Sequence, residues 1–285
     1  MSVPPRVWLD PEVRRDFVAT GSGALAALVG TPPDGVEVVG AALLVPGYTG
    51  SKEDFLPTLG PLARAGYRAV AVDLRGQYQS TGPDDPVAYT IEAHAKDVAE
   101  LLATLGTSTH LVGHSYGGLV TRQAVIAGAR PVTHSLVSSG PGALPGRRAT
   151  TIPGMLQLVG ESGTKALADV VAELEKNDPR ILAVDDDVRA FLHERRLLGS
   201  PVALRVMGEE LLVAPDEVES LAAAGVPTAV ILGETDDAWP PEAQLEMAAR
   251  LGADVVIIPG AGHSPACETP DEFVDALLSF WARSR

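Results

Sequence analysis

The sequence of 285 residues contains a single cysteine, Cys267. One thiol excludes an intrachain disulfide framework and a zinc site built on cysteines, and it is typical of a reducing compartment. The chain also lacks any run of about 18 uninterrupted apolar residues. Its N-terminal stretch has no apolar core of the kind found in a signal peptide: MSVPPRVWLDPEVRRDF. These absences predict a cytoplasmic protein with no membrane-spanning segment.

Basic residues are scarce as well. The chain has 22 lysines and arginines against 37 aspartates and glutamates, which leaves a formal net charge of −15. Because this charge repels nucleic acids and anionic membrane surfaces, we expect neither as a partner. The length is sufficient to bury a sizeable core, as one large domain with an insertion or as two small domains.

Motifs that bind metals or cofactors are missing too. His193-Glu194 begins like the zinc motif H-E-x-x-H, but Leu197 stands where the second histidine is required. No other histidine–carboxylate cluster has the spacing of metal ligands, and no phosphate-binding glycine loop or dinucleotide fingerprint is present. The sequence therefore predicts no metal and no cofactor.

Short apolar runs alternate with amphipathic segments along most of the chain. Strands are predicted at 14–20, 24–29, 41–45, 68–73, 109–112, 132–137, 227–232 and 254–258. Helices are predicted at 54–65, 90–105, 119–129, 240–251 and 270–282. The first two strands form a hairpin, and the later runs are typical of strands covered on both faces. This pattern predicts an α/β fold with a mostly parallel, doubly wound, eight-stranded sheet.

About ninety residues separate the strand ending at Val137 from the strand beginning at Pro227. No ordinary connection between a strand and a helix needs that length. Helical segments are indicated near 152–158, 164–176, 186–198 and 216–224. We therefore predict a core formed by residues 1–140 and 225–285, with a helical cap inserted at 141–224.

The predicted strand at 109–112 runs into Gly113-His114-Ser115-Tyr116-Gly117, and a helical segment follows. A sharp turn between a strand and a helix exposes a serine at the carboxyl edge of a sheet, where the hydroxyl can act as a nucleophile. The backbone N–H of Tyr116 then lies at the positive end of the helix, aimed at a developing oxyanion. This motif predicts Ser115 as a nucleophile.

A serine nucleophile needs a general base, and the base needs a carboxylate that orients it. Of six histidines, His263 alone follows a strand and a glycine-rich turn, which places it at the ligand edge of the sheet. Asp236 follows another strand and is the favoured carboxylate, with Asp237 as the second candidate. The second oxyanion donor is expected in the loop after the strand at 41–45, where Pro46-Gly47 precedes Tyr48.

Four segments carry a resemblance to the α/β-hydrolase family over essentially the whole chain. They resemble its nucleophile elbow, acid loop, histidine segment and D-x-R-G-x-G-x-S loop, and lie at 113–118, 233–240, 262–270 and 73–80. The resemblance places the acid at Asp236. Two positions depart from the pattern: Pro46-Gly47 stands for the frequent His-Gly, and Gln77-Tyr78 for the frequent histidine and the usual glycine. We expect this second loop to be shaped differently near the pocket mouth.

The resemblance implies a serine hydrolase, of the carboxylesterase type, acting on a small-molecule ester or related acyl substrate. A serine at the elbow argues against the dehalogenase and epoxide hydrolase branches, which use aspartate. Three alternatives keep the triad: acyl transfer, hydrolysis of a lactone or a carbon–carbon bond, and perhydrolysis. A further alternative is a non-catalytic ligand receptor. Met155, Leu156 and Trp239 are expected to line the substrate pocket, and the protein is expected to be a monomer or homodimer.

Overall fold

Eight strands form one sheet in the computed structural model, which describes residues 2–284 apart from the side chain of Arg180. The strands are β1 (Val13–Thr20), β2 (Gly23–Gly30), β3 (Gly40–Val45), β4 (Tyr67–Val72), β5 (Thr109–His114), β6 (His134–Val137), β7 (Thr228–Gly233) and β8 (Asp254–Ile258). Their order across the sheet is β1-β2-β4-β3-β5-β6-β7-β8. Only β1–β2 and β2–β4 pair antiparallel. The predicted mostly parallel sheet is confirmed.

The helices of the described chain flank this sheet. They are α1 (Leu56–Arg64), α2 (Ile91–Leu105), α3 (Tyr116–Ile126), α4 (Gly146–Glu175), α5 (Pro179–Leu182), α6 (Asp186–Leu198), α7 (Pro201–Val213), α8 (Val218–Ala223), α9 (Pro241–Leu251), α10 (Pro265–Glu268) and α11 (Pro270–Arg283). Single 3₁₀ turns cover Lys52–Phe55 and Pro86–Tyr89. Of these helices, α3 begins three residues earlier than predicted, directly after Ser115. None of the described helices is long and apolar enough to cross a membrane.

The continuous apolar character of the central strands follows from burial on both faces. In β3, Leu43 and Val45 point into one apolar core, which α2, α3 and α9 help to fill. Ala42 and Leu44 alternate with them and point into a second core, filled by α1 and α11. All four side chains are fully buried, because successive side chains of a strand face opposite sides of the sheet.

The segment between β6 and β7 is helical, as predicted, but its helices differ in detail. The segments predicted at 152–158 and 164–176 belong to one long helix, α4, which is interrupted at Gly163 (φ +76°). The sequence pattern does not predict α7. Its sequence, PVALRVMGEELLV, has apolar residues spread around the helix and only three charged residues, so its amphipathic pattern is weak. In the structure α7 packs between α4 and the turn at Pro86–Tyr89.

Candidate active site

Ser115 lies in the turn that joins β5 to α3, and its backbone has φ +56° and ψ −120°. A non-glycine residue rarely adopts a positive φ, and such strain concentrates at functional sites. Neighbouring elements hold the strained peptide in place. The Ser115 N–H donates to the Val137 carbonyl oxygen at 2.9 Å, and the Ser139 hydroxyl donates to the Ser115 carbonyl oxygen at 2.9 Å. The turn is therefore fixed from the side of β6.

Gly117 allows this turn to pack against the loop after β3. A Cβ atom placed on Gly117 would lie 2.4 Å from the carbonyl oxygens of both Val45 and Pro46. Because real Cβ atoms do not approach backbone that closely, only glycine fits here. The first turn of α3 is thus held against the residues that precede Gly47 and Tyr48.

His263 joins Ser115 to Asp236 through both of its ring nitrogens. Its Nε2 lies 3.0 Å from the Ser115 Oγ, and its Nδ1 lies 2.9 Å from Asp236 Oδ1. All three side chains are buried. The structure therefore brings together the three residues predicted as nucleophile, base and acid, in a hydrogen-bonded chain.

Asp236 is held by two further donors. The Ala238 N–H donates to Oδ1 at 2.8 Å, and the Gln244 side-chain amide donates to Oδ2 at 2.9 Å. The other acidic residues of this loop face elsewhere. Asp237 forms an ion pair with Arg148 on the surface, and Glu234 accepts a hydrogen bond from the backbone of Gly260. Only Asp236 among these carboxylates contacts His263.

The protonation states of this pair follow from burial and from their hydrogen bond. Burial lowers the pKa of His263 below 6.5, and the nearby Asp236 carboxylate offsets only part of that effect. Burial alone would raise the pKa of Asp236, but the hydrogen bonds from His263, Ala238 and Gln244 hold it below its usual value. At neutral pH, His263 is therefore an uncharged imidazole beside an ionised carboxylate.

His114 was not predicted as a site residue, yet it supports the loop that carries His263. Its Nε2 lies 2.7 Å from the His263 carbonyl oxygen. Burial and the neighbouring His263 lower the pKa of His114 to about 4, so its ring stays neutral and donates a hydrogen to that oxygen. The position of His114 directly before Ser115 in the sequence is the signal that could have identified it.

The loop after β3 lies beside the nucleophile. A Cβ atom placed on Gly47 would be 3.1 Å from the Ser115 Cβ, so the Gly47 backbone abuts the serine. Gln77 Nε2 donates to the carbonyl oxygens of Gly47 at 2.8 Å and Tyr48 at 3.0 Å. In a trans peptide the N–H points opposite to the preceding carbonyl, so the Tyr48 N–H is directed away from Gln77.

Gln77 and Tyr78, at which the sequence departs from the family pattern, both make contacts beyond their own loop. Tyr78, where the family usually has glycine, adopts a positive φ of 35°. Its hydroxyl donates to Glu194 of α6 at 3.0 Å. The loop thus contacts the Gly47–Tyr48 backbone through Gln77 and α6 through Tyr78.

Tyr116 extends from the elbow to α7 through its buried side chain. Its hydroxyl donates to Glu210 Oε2 at 3.2 Å, and the same carboxylate oxygen accepts the Ile91 N–H at 2.6 Å. Burial raises the pKa of Glu210 to about 7. The sequence pattern does not predict this contact, because it does not predict α7.

A cavity of about 280 Å³ opens over the nucleophile. Its walls include Ser115, His263, Tyr48 and the predicted pocket residue Met155. The predictions for Leu156 and Trp239 are wrong, since neither lines this cavity. Trp239 is buried in the core, where its indole N–H donates to the Ala143 carbonyl oxygen. Leu156 also packs against that core, on the side of α4 that meets α7.

Within residues 2–284, no group of three or more histidine, cysteine, aspartate or glutamate side chains is arranged to hold a metal ion. The side chains at the site are those of a serine, a histidine and an aspartate joined by hydrogen bonds. Such an arrangement can activate a serine hydroxyl for attack on an electrophilic carbonyl carbon.

Comparisons with known proteins agree with this fold. The model of the alpha/beta hydrolase family matches residues 42–276. A Variovorax paradoxus protein named "Putative carbamate hydrolase RutD" is 31% identical over 259 residues, which are 85% of this chain and 92% of that protein. The chain therefore belongs to the alpha/beta hydrolase family, and this membership supports a general hydrolase function.

Solved structures show the same fold at lower identity. The enol-lactonase from Burkholderia xenovorans LB400 has a TM-score of 0.75 at 22% identity, covering 94% of this chain and 100% of that one. A thermophilic esterase from Thermogutta terrifontis has a TM-score of 0.72 at 23% identity, covering 95% of this chain and 99% of that one. These likenesses extend over nearly the whole chain.

Proposed function

We propose that the protein is a serine hydrolase that cleaves a carboxylic ester or a related small acyl compound through an acyl-enzyme. The hydrogen-bonded chain from Ser115 through His263 to Asp236 carries this proposal. A serine hydroxyl beside a neutral imidazole is an activated nucleophile, and the buried carboxylate orients the imidazole.

In the proposed reaction the Ser115 Oγ attacks the carbonyl carbon while His263 Nε2 takes the hydroxyl proton. The carbonyl oxygen becomes an oxyanion, which accepts hydrogen bonds from the backbone N–H groups of Tyr48 and Tyr116. The intermediate then expels the alcohol, which receives the proton from His263, and leaves an ester on Ser115. A water molecule, deprotonated by His263, hydrolyses this ester and regenerates the serine.

Asp236 serves the reaction by acting on His263. Its carboxylate fixes the tautomer with the proton on Nδ1, so that Nε2 is free to accept the proton from Ser115. It also stabilises the imidazolium that forms during attack. His114 is proposed as a positioning residue, because its neutral ring holds the backbone of His263.

A carbamate is a second candidate substrate, supported by the name of the 31% identical relative. Its carbonyl carbon is open to the same attack by Ser115, and its leaving group would take the same proton from His263. The reaction would differ in the stability of the carbamoyl-enzyme. An aryl ester and an aryl carbamate with the same leaving group distinguish the two candidates by their relative kcat/KM.

We further propose that α4 to α7 form the cap over the site, within the region predicted at 141–224. The contacts of α7 with α4, and the position of Met155 of α4 on the cavity wall, support this assignment. α8 packs against α3 and α9, so we assign it to the core. The single cysteine, which is buried, supports the proposed cytoplasmic location.

Hydrolysis of p-nitrophenyl acetate by matched serine variants tests the proposal. Ser115→Ala is expected to lower kcat by about 10⁶-fold, because a triad without its nucleophile loses nearly all its advantage. Ser135→Ala is the matched control: Ser135 is also buried, on β6, and its hydroxyl makes no hydrogen bond within residues 2–284. Undiminished turnover by Ser115→Ala would disprove the proposal.

A further inference from the structure

A second cavity, of about 360 Å³, adjoins the cavity over Ser115. It lies between α4, α6 and α7 on one side and the loops after β3 and β4 on the other. Protein interiors are close-packed and leave few voids larger than a water molecule, whereas ligand pockets begin near 300 Å³. A space of this size is therefore a candidate binding compartment.

The two cavities meet at Tyr48 and Met155, which line both of them. Tyr48 is held at this junction by α7. Its hydroxyl donates to the Leu204 carbonyl oxygen at 2.6 Å, and a Cβ atom on Gly208 would lie 2.4 Å from that hydroxyl. Met155 of α4 lines the same junction with a flexible side chain. A substrate chain attached to the reacting carbonyl can thus extend past Tyr48, whose side chain is fixed, and Met155, whose side chain is adaptable.

The walls of the second cavity are mainly apolar. They include Val3, Leu167, Val171, Leu174, Ile181, Ala203, Leu204 and Met207. Because apolar walls gain from releasing water, they favour an apolar occupant. Each methylene that enters such a space contributes enough free energy to change an equilibrium about fourfold.

The two arginines that line this cavity are already paired with carboxylates of the protein. Arg195 forms an ion pair with Asp54 at 2.7 Å, and Arg196 forms one with Glu175. Three of these side chains are largely buried, and the Glu175 side chain is partly exposed. Because these positive charges are balanced internally, the cavity offers no uncompensated charge to an anionic ligand.

We propose that the second cavity binds an uncharged, apolar chain of the substrate while the attached carbonyl lies at Ser115. This inference rests on the proposed function and names its substrate class: esters with a medium-length hydrocarbon chain. The chain belongs to either the acyl or the alcohol side of the ester, and both have the same chemistry within the cavity. The chain extends past Tyr48 and Met155, and every methylene beyond that junction is buried by the cap helices.

Two substrate series test the proposal on the full-length protein. The first keeps the p-nitrophenyl leaving group and lengthens the acyl chain from acetate to octanoate. The second keeps the acetyl group and lengthens the alcohol from ethyl to octyl. We expect kcat/KM to rise in one series by up to about fourfold per methylene once the chain reaches the second cavity. The series that shows the rise identifies the side of the ester that the cavity binds.

Val171→Trp narrows the cavity, and Val170→Trp is its matched control. Val171 lines the cavity, whereas Val170, its neighbour on α4, is 45% exposed and lies outside the cavity wall. Val171→Trp is expected to remove the preference for long chains while acetate hydrolysis persists. Val170→Trp is expected to keep the preference. Leu174→Trp, at a wall residue that is 74% exposed, provides a second blocking variant if Val171→Trp does not fold.

The outcomes separate this inference from the proposed function. Ser115→Ala tests the proposed function on acetate, whose chain is too short to reach the second cavity. Flat chain-length profiles in both series would overturn the inference while leaving the proposed function intact. An equal loss for short and long esters in both blocking variants, with Val170→Trp unaffected, would also overturn it. So would a preference for a carboxylate-terminated chain over the methyl-terminated chain of equal length.

Discussion

Gln77 and Gly47 are joined by a hydrogen bond of 2.8 Å from the side-chain amide to the carbonyl oxygen. The same nitrogen donates to the Tyr48 carbonyl at 3.0 Å, and the Gln77 Oε1 accepts the Leu74 N–H at 3.0 Å. The amide is therefore fixed at its oxygen while its nitrogen orients two successive peptides of the loop beside Ser115. We assign Gln77 as a positioning residue for the proposed oxyanion hole.

Replacing Gln77 is expected to reduce kcat more than it changes KM. Gln77→Leu keeps the approximate volume but removes both hydrogen bonds, and we expect kcat to fall about tenfold to hundredfold as the Tyr48 N–H loses its orientation. Oxyanion donors act mainly in the transition state, which is why KM changes little. Gln77→Glu places a negatively charged carboxylate beside the same two carbonyl oxygens, and we expect a larger decrease in kcat. Steady-state kinetics with an activated ester measures both constants.

Gln79→Leu is the control for these variants. The Gln79 side chain is exposed, and it accepts a hydrogen bond from Lys52 instead of donating to the Gly47–Tyr48 backbone. We expect it to leave kcat nearly unchanged. An equal decrease in kcat for Gln77→Leu and Gln79→Leu would argue against the positioning role.

Asp236 and Asp237 are adjacent, yet we expect their amide variants to differ greatly. Asp236→Asn removes the carboxylate that fixes the His263 tautomer and is expected to lower kcat about 10⁴-fold. Asp237→Asn removes only a surface ion pair with Arg148, at a side chain that is 69% exposed. Its effect on kcat is expected to be small. A larger loss in Asp237→Asn than in Asp236→Asn would reverse the assignment of the acid.

The pH dependence of kcat/KM reports the ionisation of His263 in the free enzyme. Burial lowers the pKa of His263 below 6.5, so the neutral base persists at pH 6.5 and activity is lost only at lower pH. Because the Asp236 carboxylate raises this pKa, Asp236→Asn is expected to move the acid limb of its residual activity to still lower pH. Glu210→Gln removes a carboxyl group whose pKa of about 7 would otherwise affect the same pH range. An acid limb above pH 6.5 in the profile of this variant would contradict this account.

Glu210 links α7 to the elbow, and its contribution to the free energy of unfolding depends on pH. Its pKa rises to about 7 in the folded protein from an ordinary value of 4.5, because burial disfavours the charged form. Its protonation therefore stabilises the fold most below pH 4.5, and this stabilisation is lost as pH rises through 7. Glu210→Gln is expected to have a higher Tm than the parent protein at pH 8.5, with the difference shrinking toward pH 5. A lower Tm at pH 8.5 would contradict the assigned shift.

The strands and the chemistry at their ends could be predicted from the sequence for a physical reason. A strand buried on both faces is an apolar run, as at 41–45, and the loop after it reaches the same edge of the sheet as every other parallel strand. Ser115 and Asp236 each follow such a strand, and His263 follows β8, an apolar run at the edge of the sheet whose residues are mostly exposed. Their convergence needs only the topology, and hydrogen bonds of 2.9 and 3.0 Å join their side chains.

The surroundings of these residues could not be predicted in the same way. The amphipathic pattern of α7 is weak, and the contacts of Glu210 and the second cavity depend on where this helix packs. Gln77 and His114 act through side chains that reach backbone carbonyls far along the chain. Trp239 belongs to the acid loop and was therefore expected at the pocket, but its side chain is buried in the core.

The central claim is that Ser115 forms the acyl-enzyme, and labelling with a fluorophosphonate tests it most directly. Intact-mass spectrometry should show one phosphonyl group per chain, and peptide mapping should place it on Ser115. Ser115→Ala should remain unlabelled, while Ser135→Ala should label at the rate of the parent protein. Persistent labelling of Ser115→Ala at the parent rate, or a label on another serine of the parent protein, would contradict the account.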